Sequence, residues 1–350
     1  MVDVSTTTVG SPELVPGPGA PRRVVDVLDG GLAALAARAP TTTVGLDQLW
    51  RTARRRTRRA MAAVPAARAF DLAALGTDRL RPPPGPPRGG RAAIVASGPS
   101  ALLVHQPGWA EALREMDVFA LNHAAAIAPD PVVCSIEVPD LVGRQAPLTA
   151  EQGVAFLEWA VARARRSSGC TSVVVRANAL DGPTLALLRR VDGADGATRL
   201  AMQAGLSVRG RDGSTRFARW VASRDAMRWP APGHPFVCAR GGLGFLVALT
   251  VALGYDETVL FGVDLWSNDY FFDLVDPDEL PGVEAFTPVL APSMPVPHST
   301  AVARRDRPGI VAALAALDVE VLRPRGRRLA VASERSLLHP ALDLAEPGTR

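Results

Sequence analysis

The chain has 350 residues, of which 47% are hydrophobic, 21% are charged and only 5% are aromatic. This composition is typical of a globular protein with one large α/β domain and an appendage, or with two smaller domains. Basic residues outnumber acidic residues by four, and all 39 of them are arginines. The absence of lysine excludes Schiff-base enzymes, P-loop nucleotide hydrolases and protein kinases.

The first 88 residues differ in character from the rest. Residues 1–21 are polar and rich in proline and glycine, which predicts a disordered tail. Residues 22–88 predict a helical appendage that ends in a stiff proline-rich linker, and one of its helices carries an arginine run at 51–59. This run favours a solvated helix face or a peripheral contact with an anionic membrane surface. It lacks interleaved aromatic residues, so no nucleic-acid partner is predicted.

Residues 89–350 alternate between strands and helices. This alternation predicts a doubly wound, mostly parallel Rossmann-like sheet, in which ligands bind beyond the carboxyl ends of the strands. Two segments, the irregular stretch 191–234 and the loop 266–297, are candidate lids. The predicted strands are 92–96, 117–121, 131–136, 172–176, 258–263 and 319–322, and the predicted helices are 150–165, 183–190, 242–253 and 302–317.

The cysteines and the apolar segments indicate the compartment. Cys134, Cys170 and Cys238 are far apart and form no Cys-x-x-Cys pair, so neither a structural zinc site nor a disulfide framework is predicted. The N-terminus lacks the apolar region of a signal peptide, and the longest apolar run, 243–253, is too short to span a bilayer. We expect a cytoplasmic protein, with a peripheral contact at the inner face of the membrane left open.

Two glycine-containing turns and one asparagine mark the candidate nucleotide site. Strand 92–96 runs into a glycine turn and a serine at a predicted helix N-cap, where backbone amides and the helix dipole favour phosphate. An asparagine directly after strand 117–121 can contact a base or ribose, and glycines opening the helix 242–253 allow close approach of a ligand. Each feature also fits an ordinary turn or close helix packing. With two acidic residues that follow strand 258–263, the candidate nucleotide- and donor-binding residues are Ser97, Gly98, Ser100, Asn122, Arg240, Gly241, Gly242, Asp264 and Asp269.

The candidate catalytic residues lie further along the chain. Trp266, Tyr270 and two phenylalanines gather after strand 258–263, so this loop either covers a ligand or folds back into the core. His298 follows a proline-rich stretch and precedes the predicted helix 302–317. A histidine of near-neutral pKa is a suitable general base for a hydroxyl nucleophile, although a lone histidine is more often structural. No metal-binding cluster is predicted.

Taken in order, these motifs resemble those of the bacterial lipooligosaccharide sialyltransferases of glycosyltransferase family 42. That family has a Gly-Asn-Gly-Pro-Ser turn, a Cys-Asn-Gln after the second strand, and a helix that starts with Thr-Ser-Gly and ends with Ala-Leu-Gly-Tyr. It also has a Gly-Ile-Asp-Phe-Tyr loop, a Tyr-Ala-Phe-Asp segment and a Gly-His-Ser. The resemblance covers about residues 91–325, and the similar segments of this chain are 96–100, 121–123, 241–243, 252–255, 262–266, 270–273 and 297–299.

The resemblance implies a CMP-sugar-dependent glycosyltransferase that inverts the donor carbon and needs no metal or other cofactor. Its donor would be CMP-sialic acid or a related CMP-sugar, and its acceptor a glycan or another hydroxyl compound. It implies that His298 takes the proton of the acceptor hydroxyl and that Tyr270 donates a hydrogen bond to the departing CMP phosphate. Trp266 replaces a phosphate-contacting tyrosine of the family, and its indole N–H can still donate. A homo-oligomer is left open.

The chain also departs from the family pattern. Ser97 replaces the asparagine of the turn, Gly241 and Gly242 replace Thr-Ser, and Pro295 stands where the family has a tyrosine. These changes affect the expected donor pocket and acceptor side. They leave open whether the donor sugar is sialic acid, another nonulosonic acid or a smaller sugar.

Two other interpretations stay open. The Gly-Pro-Ser turn and the Gly-Val-Asp strand end also resemble the hydroxymethylpterin diphosphokinase-like proteins, which transfer diphosphate from ATP with magnesium. That interpretation gives no role to His298 or Tyr270 and ranks second. The arginine run at 51–59 suits, alternatively, an anion- or lipid-binding module.

Overall fold

The computed structural model describes only part of the chain. Residues 1–89, which include the predicted tail, appendage and linker, and the predicted helix 183–190 lie outside the described residues. The described residues are 90–138, 158–159, 162–163, 170, 172–177, 199–203, 205–207, 213–222, 236–238, 241–266, 269–275, 297–298, 300–303 and 308–348.

The described residues place eight strands in one parallel sheet, and two short strands pair apart from it. Apolar runs rich in alanine, valine and leucine form the central strands, as expected for a sheet buried on both faces. The strands of the large sheet are β1 (Arg91–Val95), β2 (Asp117–Leu121), β3 (Val133–Val138), β4 (Ser172–Ala177), β5 (Arg199–Gln203), β8 (Glu257–Phe261), β9 (Arg328–Val331) and β10 (Asp343–Leu344), and the separate pair is β6 (Gly205–Ser207) with β7 (Phe236–Cys238).

The strand order is β10-β9-β8-β1-β2-β3-β4-β5, and every neighbouring pair is parallel. From β1 the chain proceeds outward through β2 to β5. It then returns to place β8 on the other side of β1 and continues outward through β9 to β10. The direction of winding therefore reverses between β1 and β8, and in sheets of this kind such a reversal is where ligands bind.

Helices cover both faces of the sheet. The helices of eight or more residues are α2 (Gly213–Ala222), α3 (Gly241–Leu253) and α4 (Ile310–Leu317), and they pack with Ala92, Ile94 and Phe119 in one core. The short helix α1 (Pro107–Ala112) and the 3₁₀ segments Pro99–His105 and Asn122–Ala126 lie on the opposite face, with Ala93 and Val95. This arrangement confirms the α/β, Rossmann-like parallel sheet.

Helix α3 is the most buried of these helices, since Gly242 to Val251 are all buried. Its sequence is apolar on every side, so neither face is suited to solvent. Because α3 ends just before the start of β8, its first residue, Gly241, lies toward the carboxyl edge of the sheet. Among the helices of the described part of the chain, none is both long and apolar enough to cross a membrane.

Two predictions of local structure are wrong. The stretch 191–234, expected to be irregular, contains β5, β6 and α2, and the Phe217 and Ala218 side chains of α2 are fully buried. Abundant glycine, arginine and aspartate hid the helical spacing of these apolar residues. The predicted strand 319–322 is instead the π-helical segment Asp318–Leu322, which continues α4. Its alternating sequence suggests a strand, but Val321 and Leu322 extend the buried face of the helix.

Most of the other predicted elements agree closely with the structure, and one predicted helix begins later than expected. The predicted strands 92–96, 117–121, 131–136, 172–176 and 258–263 correspond to β1, β2, β3, β4 and β8, with boundary shifts of up to two residues. The helix 242–253 corresponds to α3, and the part of 150–165 that is described, 158–159 and 162–163, is helical. The helix expected at 302–317 begins only at Ile310, because Ala301 and Val302 form a turn and a bend.

Candidate functional site

The turn after β1 is bonded directly to the segment after β8. The Gly98 amide donates to the Gly262 carbonyl at 2.8 Å, and the Gly262 amide donates to Ser100 Oγ at 3.1 Å. The Ser100 amide donates to Asp264 Oδ2 at 2.8 Å. These three bonds join the two strand ends at the point where the winding reverses. The N-cap of the following 3₁₀ helix is Gly98, so the prediction of Ser100 at the cap is wrong.

Two of these positions require glycine. A Cβ on Gly98 would lie 2.5 Å from Asp264 Oδ2 and 2.7 Å from the Gly262 carbonyl oxygen. Gly262 has a φ of +66°, and a Cβ there would overlap the Ala96 carbonyl oxygen and approach the Ala101 side chain. Glycine is therefore needed at these positions because the two loops approach each other too closely for a side chain, and at Gly262 also because φ is positive. Since the Gly98 and Ser100 amides are engaged in the protein, an anion at this turn would have to be bound by other groups.

Asp264 is a buried carboxylic acid at the base of the site. Asp264 is 4% exposed, and burial raises the pKa of its carboxyl above the usual value. The hydrogen bonds from Ser100 and the positive charge of Arg335 act in the opposite direction. Asp264 was predicted directly after a buried strand, whereas β8 ends earlier, at Phe261. Its observed partner gives it a structural role in holding the Ser100 turn.

The aromatic loop is anchored to the turn after β1. The Phe271 amide donates to the Ser97 carbonyl at 3.0 Å, and the Phe271 side chain is fully buried against the sheet. The Tyr270 ring stacks on that of Phe272, with centroids 5.0 Å apart and planes within 8°. The Phe272 ring in turn contacts that of His123, at 4.9 Å. The loop therefore joins the core through Phe271 and places a layer of rings beyond the ends of β1 and β2.

Tyr270 stays a neutral phenol under ordinary conditions. Burial raises the pKa of its hydroxyl, and the negative charge of Asp273 raises it further. Asp273 also accepts a hydrogen bond from the Tyr270 amide, at 2.9 Å, which holds the start of this 3₁₀ turn. A neutral phenol retains its proton, so it can donate a hydrogen bond to an anion. Asp269, just before it, is part-buried.

The segment around His298 is anchored to the segment after β8. The His298 amide donates to the Leu265 carbonyl at 2.8 Å. Thr300 Oγ1 lies 2.8 Å from the imidazole Nδ1, and the Thr300 amide donates to Nδ1 at 3.3 Å. A backbone amide can only donate, so this bond favours the tautomer in which Nδ1 accepts and Nε2 carries the proton. In the other tautomer Nδ1–H donates to Thr300 Oγ1 and Nε2 can accept a proton, so Thr300 acts directly on the tautomer of His298.

Trp266 directly follows Leu265 and has an exposed fraction of 38%, which is high for so large an apolar side chain. Leu265 itself has a φ of +66°, an uncommon conformation for a residue with a side chain. His298 and Trp266 are therefore both held at the end of β8, while Tyr270 is held at the end of β1. Neighbouring strands lie about 4.8 Å apart.

The remaining candidates lie beyond β2 and at the start of α3. Ser97 Oγ donates to the Leu121 carbonyl at 3.4 Å, which brings the turn after β1 against the last residue of β2. Asn122 follows with a φ of +52°. Gly241 has a φ of +54° and Gly242 is buried at the first turn of α3. Arg240 lies outside the described residues.

The sequence analysis missed a third loop at this edge, the one that follows β9. Ser336 Oγ donates to the Val263 carbonyl at 2.5 Å, and the Leu337 amide donates to the Asp264 carbonyl at 2.9 Å. The same loop carries Arg335 and His339. The last strand was predicted at 319–322, so the loop after the true strand β9 was not expected at the carboxyl edge. Correct placement of β9 at Arg328–Val331 would have identified this loop.

Within the described residues, no group of three or more His, Cys, Asp or Glu side chains is arranged to hold a metal ion. The sequence does contain a carboxylate pair with Asp-x-Asp spacing, Asp276 and Asp278, outside those residues. Cys134 and Cys170 are free thiols, and the hydrogen bond with Cys170, together with burial, raises the pKa of the Cys134 thiol.

Comparison with protein-family models, curated proteins and solved structures finds no match for this chain.

Proposed function

We propose that the protein is an inverting glycosyltransferase that moves sialic acid or a related sugar from a CMP-sugar to an acceptor hydroxyl, without a metal. One observation carries the proposal. The Tyr270 loop and the His298 segment are distant in sequence, yet each is hydrogen-bonded to one of the two strand ends between which the winding reverses. A general base and a neutral hydrogen-bond donor are the two groups that a metal-independent displacement of a phosphate needs.

His298 is the proposed base. As the acceptor oxygen forms a bond to the anomeric carbon of the donor, its proton passes to His298 Nε2. The bond between that carbon and the phosphate oxygen breaks, and CMP leaves with the electron pair. Nε2 can take this proton only in the tautomer in which Nδ1–H donates to Thr300 Oγ1, so the ring must first give up the bond that the Thr300 amide donates to Nδ1. Thr300 is therefore a positioning residue.

Tyr270 and Trp266 are the proposed donors to the departing phosphate. The raised pKa of Tyr270 keeps its hydroxyl protonated while negative charge develops on the leaving group. Trp266 is exposed beside the His298 segment, and its indole N–H is a donor only. Fixed donors aimed at a developing charge stabilise a transition state more than a ground state.

The nucleotide is proposed to occupy the crevice beyond β1 and β2, with Ser97 and Asn122 on one side and the first turn of α3, at Gly241 and Gly242, on the other. The hydrogen bond between Ser97 and Leu121 supports this placement, because it brings the two strand ends together. In this arrangement Gly98, Ser100 and Asp264 shape the wall of the crevice, since their polar groups already bond to each other.

The test is the release of CMP from a panel of CMP-sugars by the full chain, followed with and without candidate glycan acceptors. Slow hydrolysis of one donor without an acceptor would identify the sugar. Calorimetric titration with CMP and with ATP runs in parallel. Binding of ATP with no binding of CMP would overturn the proposal and favour diphosphate transfer.

A further inference from the structure

The loop after β9 contributes a cation to the carboxyl edge of the sheet. Arg335 is exposed, and its neighbours Ser336 and Leu337 bond to the Val263 and Asp264 carbonyls. These two contacts fix the loop beside the end of β8, which also carries His298 and Trp266. The positive charge of Arg335 acts to lower the pKa of the Asp264 carboxyl, which agrees with the position of this loop beside the end of β8.

Three arginines at the amino edge of the sheet have a different environment. Arg91 and Arg328, at the amino edge, both pair with Glu257, each with its closest contact at 2.5 Å. Arg327 lies 3.7 Å from Asp256 at the same edge. Within the part of the chain that the structure describes, Arg335 makes no ion pair within 4 Å. Its guanidinium is therefore available to an anion from outside the protein.

Two local features make this position suitable for a phosphate. The carboxyl on which the Arg335 charge acts, that of Asp264, is buried and accepts the Ser100 amide, so it is already engaged. The Gly98 and Ser100 amides, which could otherwise serve a phosphate, also donate to the protein itself. A phosphate at the ends of β1 and β8 therefore needs a cation from another loop, and in a chain without lysine that cation is an arginine. Guanidinium groups bind phosphate through two parallel hydrogen bonds.

We infer that Arg335 is the phosphate-binding residue of the site, and that it binds the phosphate of the nucleotide. This inference rests on the proposed function for the identity of the nucleotide, but not for the presence of an anion site. It assigns to the segment after β9, which lies beyond the resemblance at 91–325, a direct part in ligand binding.

The experiment compares Arg335→Gln with Arg114→Gln, using CMP and cytidine as probes. Arg114 is exposed just before β2, at the amino edge, and is a matched control because its replacement removes the same charge far from the site. For the wild-type chain and for Arg114→Gln we expect CMP to bind more tightly than cytidine. For Arg335→Gln we expect CMP affinity to fall roughly 10- to 100-fold, the usual effect of losing hydrogen bonds between charged groups. Cytidine affinity should stay unchanged, and Arg335→Lys should restore part of the CMP affinity.

The outcomes separate this inference from the proposed function. Equal CMP affinity in wild type and Arg335→Gln would overturn the role of Arg335 and leave the glycosyltransferase proposal standing. Equal weakening of CMP and cytidine would also overturn it, since that indicates a structural effect. If the wild type binds neither probe, the proposed donor is wrong, and titration with inorganic pyrophosphate then decides. Weaker pyrophosphate binding by Arg335→Gln alone supports the anion site, and no difference overturns it.

Discussion

At the scale of single residues, backbone strain is concentrated near the site. Among the described residues, Asn122, Asp130 and Leu265 are the residues other than glycine with positive φ. Asn122 directly follows β2, and Leu265 lies in the segment after β8, so two of the three are at strand ends near the site. For leucine this conformation has a cost, which the surrounding contacts must offset. The Leu265 carbonyl accepts the His298 amide, so this strained residue links β8 to the candidate base.

The first prediction concerns His298. His298→Ala should lower turnover of the CMP-sugar about 100-fold or more, the usual scale for loss of a general base. CMP affinity should change little, because the ring is expected to contact the acceptor. Stability should also change little, since the bond to Leu265 uses the backbone amide. Steady-state kinetics and thermal unfolding on the same variant measure both effects.

His339→Ala is the control for that experiment, because His339 lies on another loop at the same edge. It should keep most of the activity. If His298→Ala instead melts at a lower temperature while its folded fraction stays fully active, His298 is structural and the base lies elsewhere.

The second prediction concerns Asp264. Its folded-state pKa is raised by burial, so the unfolded chain releases this proton at lower pH than the folded chain does. The contribution of Asp264 to stability is therefore fully present below its unfolded pKa of about 3.9 and is lost as pH rises through the higher folded value. Asp264→Asn keeps an oxygen acceptor for the Ser100 amide and removes the charge.

Compared with wild type, Asp264→Asn should gain relative stability as pH rises from 4 to 7, as measured by urea unfolding at several pH values. A difference between the two proteins that does not vary with pH would show that burial of the charge has no measurable cost. Replacement of the exposed Asp273 by Asn is the control for a carboxylate outside the core.

At the scale of elements, Asp318 determines how α4 joins β9. Its side chain is fully buried, accepts the Leu329 amide at 2.8 Å and accepts Arg323 Nε at 2.6 Å. It thus fixes the π-helical segment to the first residues of the strand. This strand leads directly to the loop that carries Arg335.

The third prediction is that Asp318→Ala lowers the free energy of unfolding by about 1–3 kcal/mol, because a buried amide and a guanidinium each lose a partner. Within the described residues, the exposed Glu320, two residues on, accepts the Thr215 hydroxyl at 3.2 Å, and Glu320→Ala should cost less than about 0.5 kcal/mol. Urea unfolding measures both values. Equal stability of the two variants would mean that the Asp318 contacts do not fix this junction.

At the scale of the whole molecule, the two edges of the sheet have different roles. The amino edge is held by ion pairs and by buried polar contacts such as the 2.6 Å bond from the Tyr255 hydroxyl to Asp117. The carboxyl edge gathers His298, Tyr270, Trp266 and Arg335, which lie in the two connections that follow β8 and β9. These ion pairs and the candidate functional groups are therefore at opposite ends of the strands.

The fourth prediction is that turnover of the CMP-sugar survives EDTA, since Tyr270, Trp266 and Arg335 would supply donors and charge for the phosphate. The double variant Asp276→Asn with Asp278→Asn should stay active, because this Asp-x-Asp pair would matter only to a metal-dependent reaction. Assays with chelator, and then with added magnesium or manganese, measure both effects. Activity that is lost in EDTA and restored by either metal would contradict the prediction and favour the diphosphokinase interpretation.

Much of the framework can be predicted from the sequence. Short apolar runs such as those of β1, β2 and β8 have few alternatives to a buried parallel strand, and the apolar segment of α3 has few alternatives to a buried helix. The turns that follow these strands were identifiable because each carries a glycine or an asparagine, the residues that tolerate positive φ. These local signals were sufficient to locate most of the candidate site.

The tertiary structure decided the rest, because the deciding contacts join residues far apart in the chain. The segment 318–322 alternates like a strand, yet packing of Val321 and Leu322 against the core keeps it helical. The amides of Gly98 and Ser100 are typical of an anion site, yet Gly262 and Asp264 occupy them from more than 160 positions away. The loop after β9 lies at the carboxyl edge because β9 pairs in parallel with β8, and the position of this pairing in the sheet is set by the tertiary structure. Local sequence determines which conformations a segment can adopt, whereas the choice among them, and the partners of each polar group, depend on burial against distant residues.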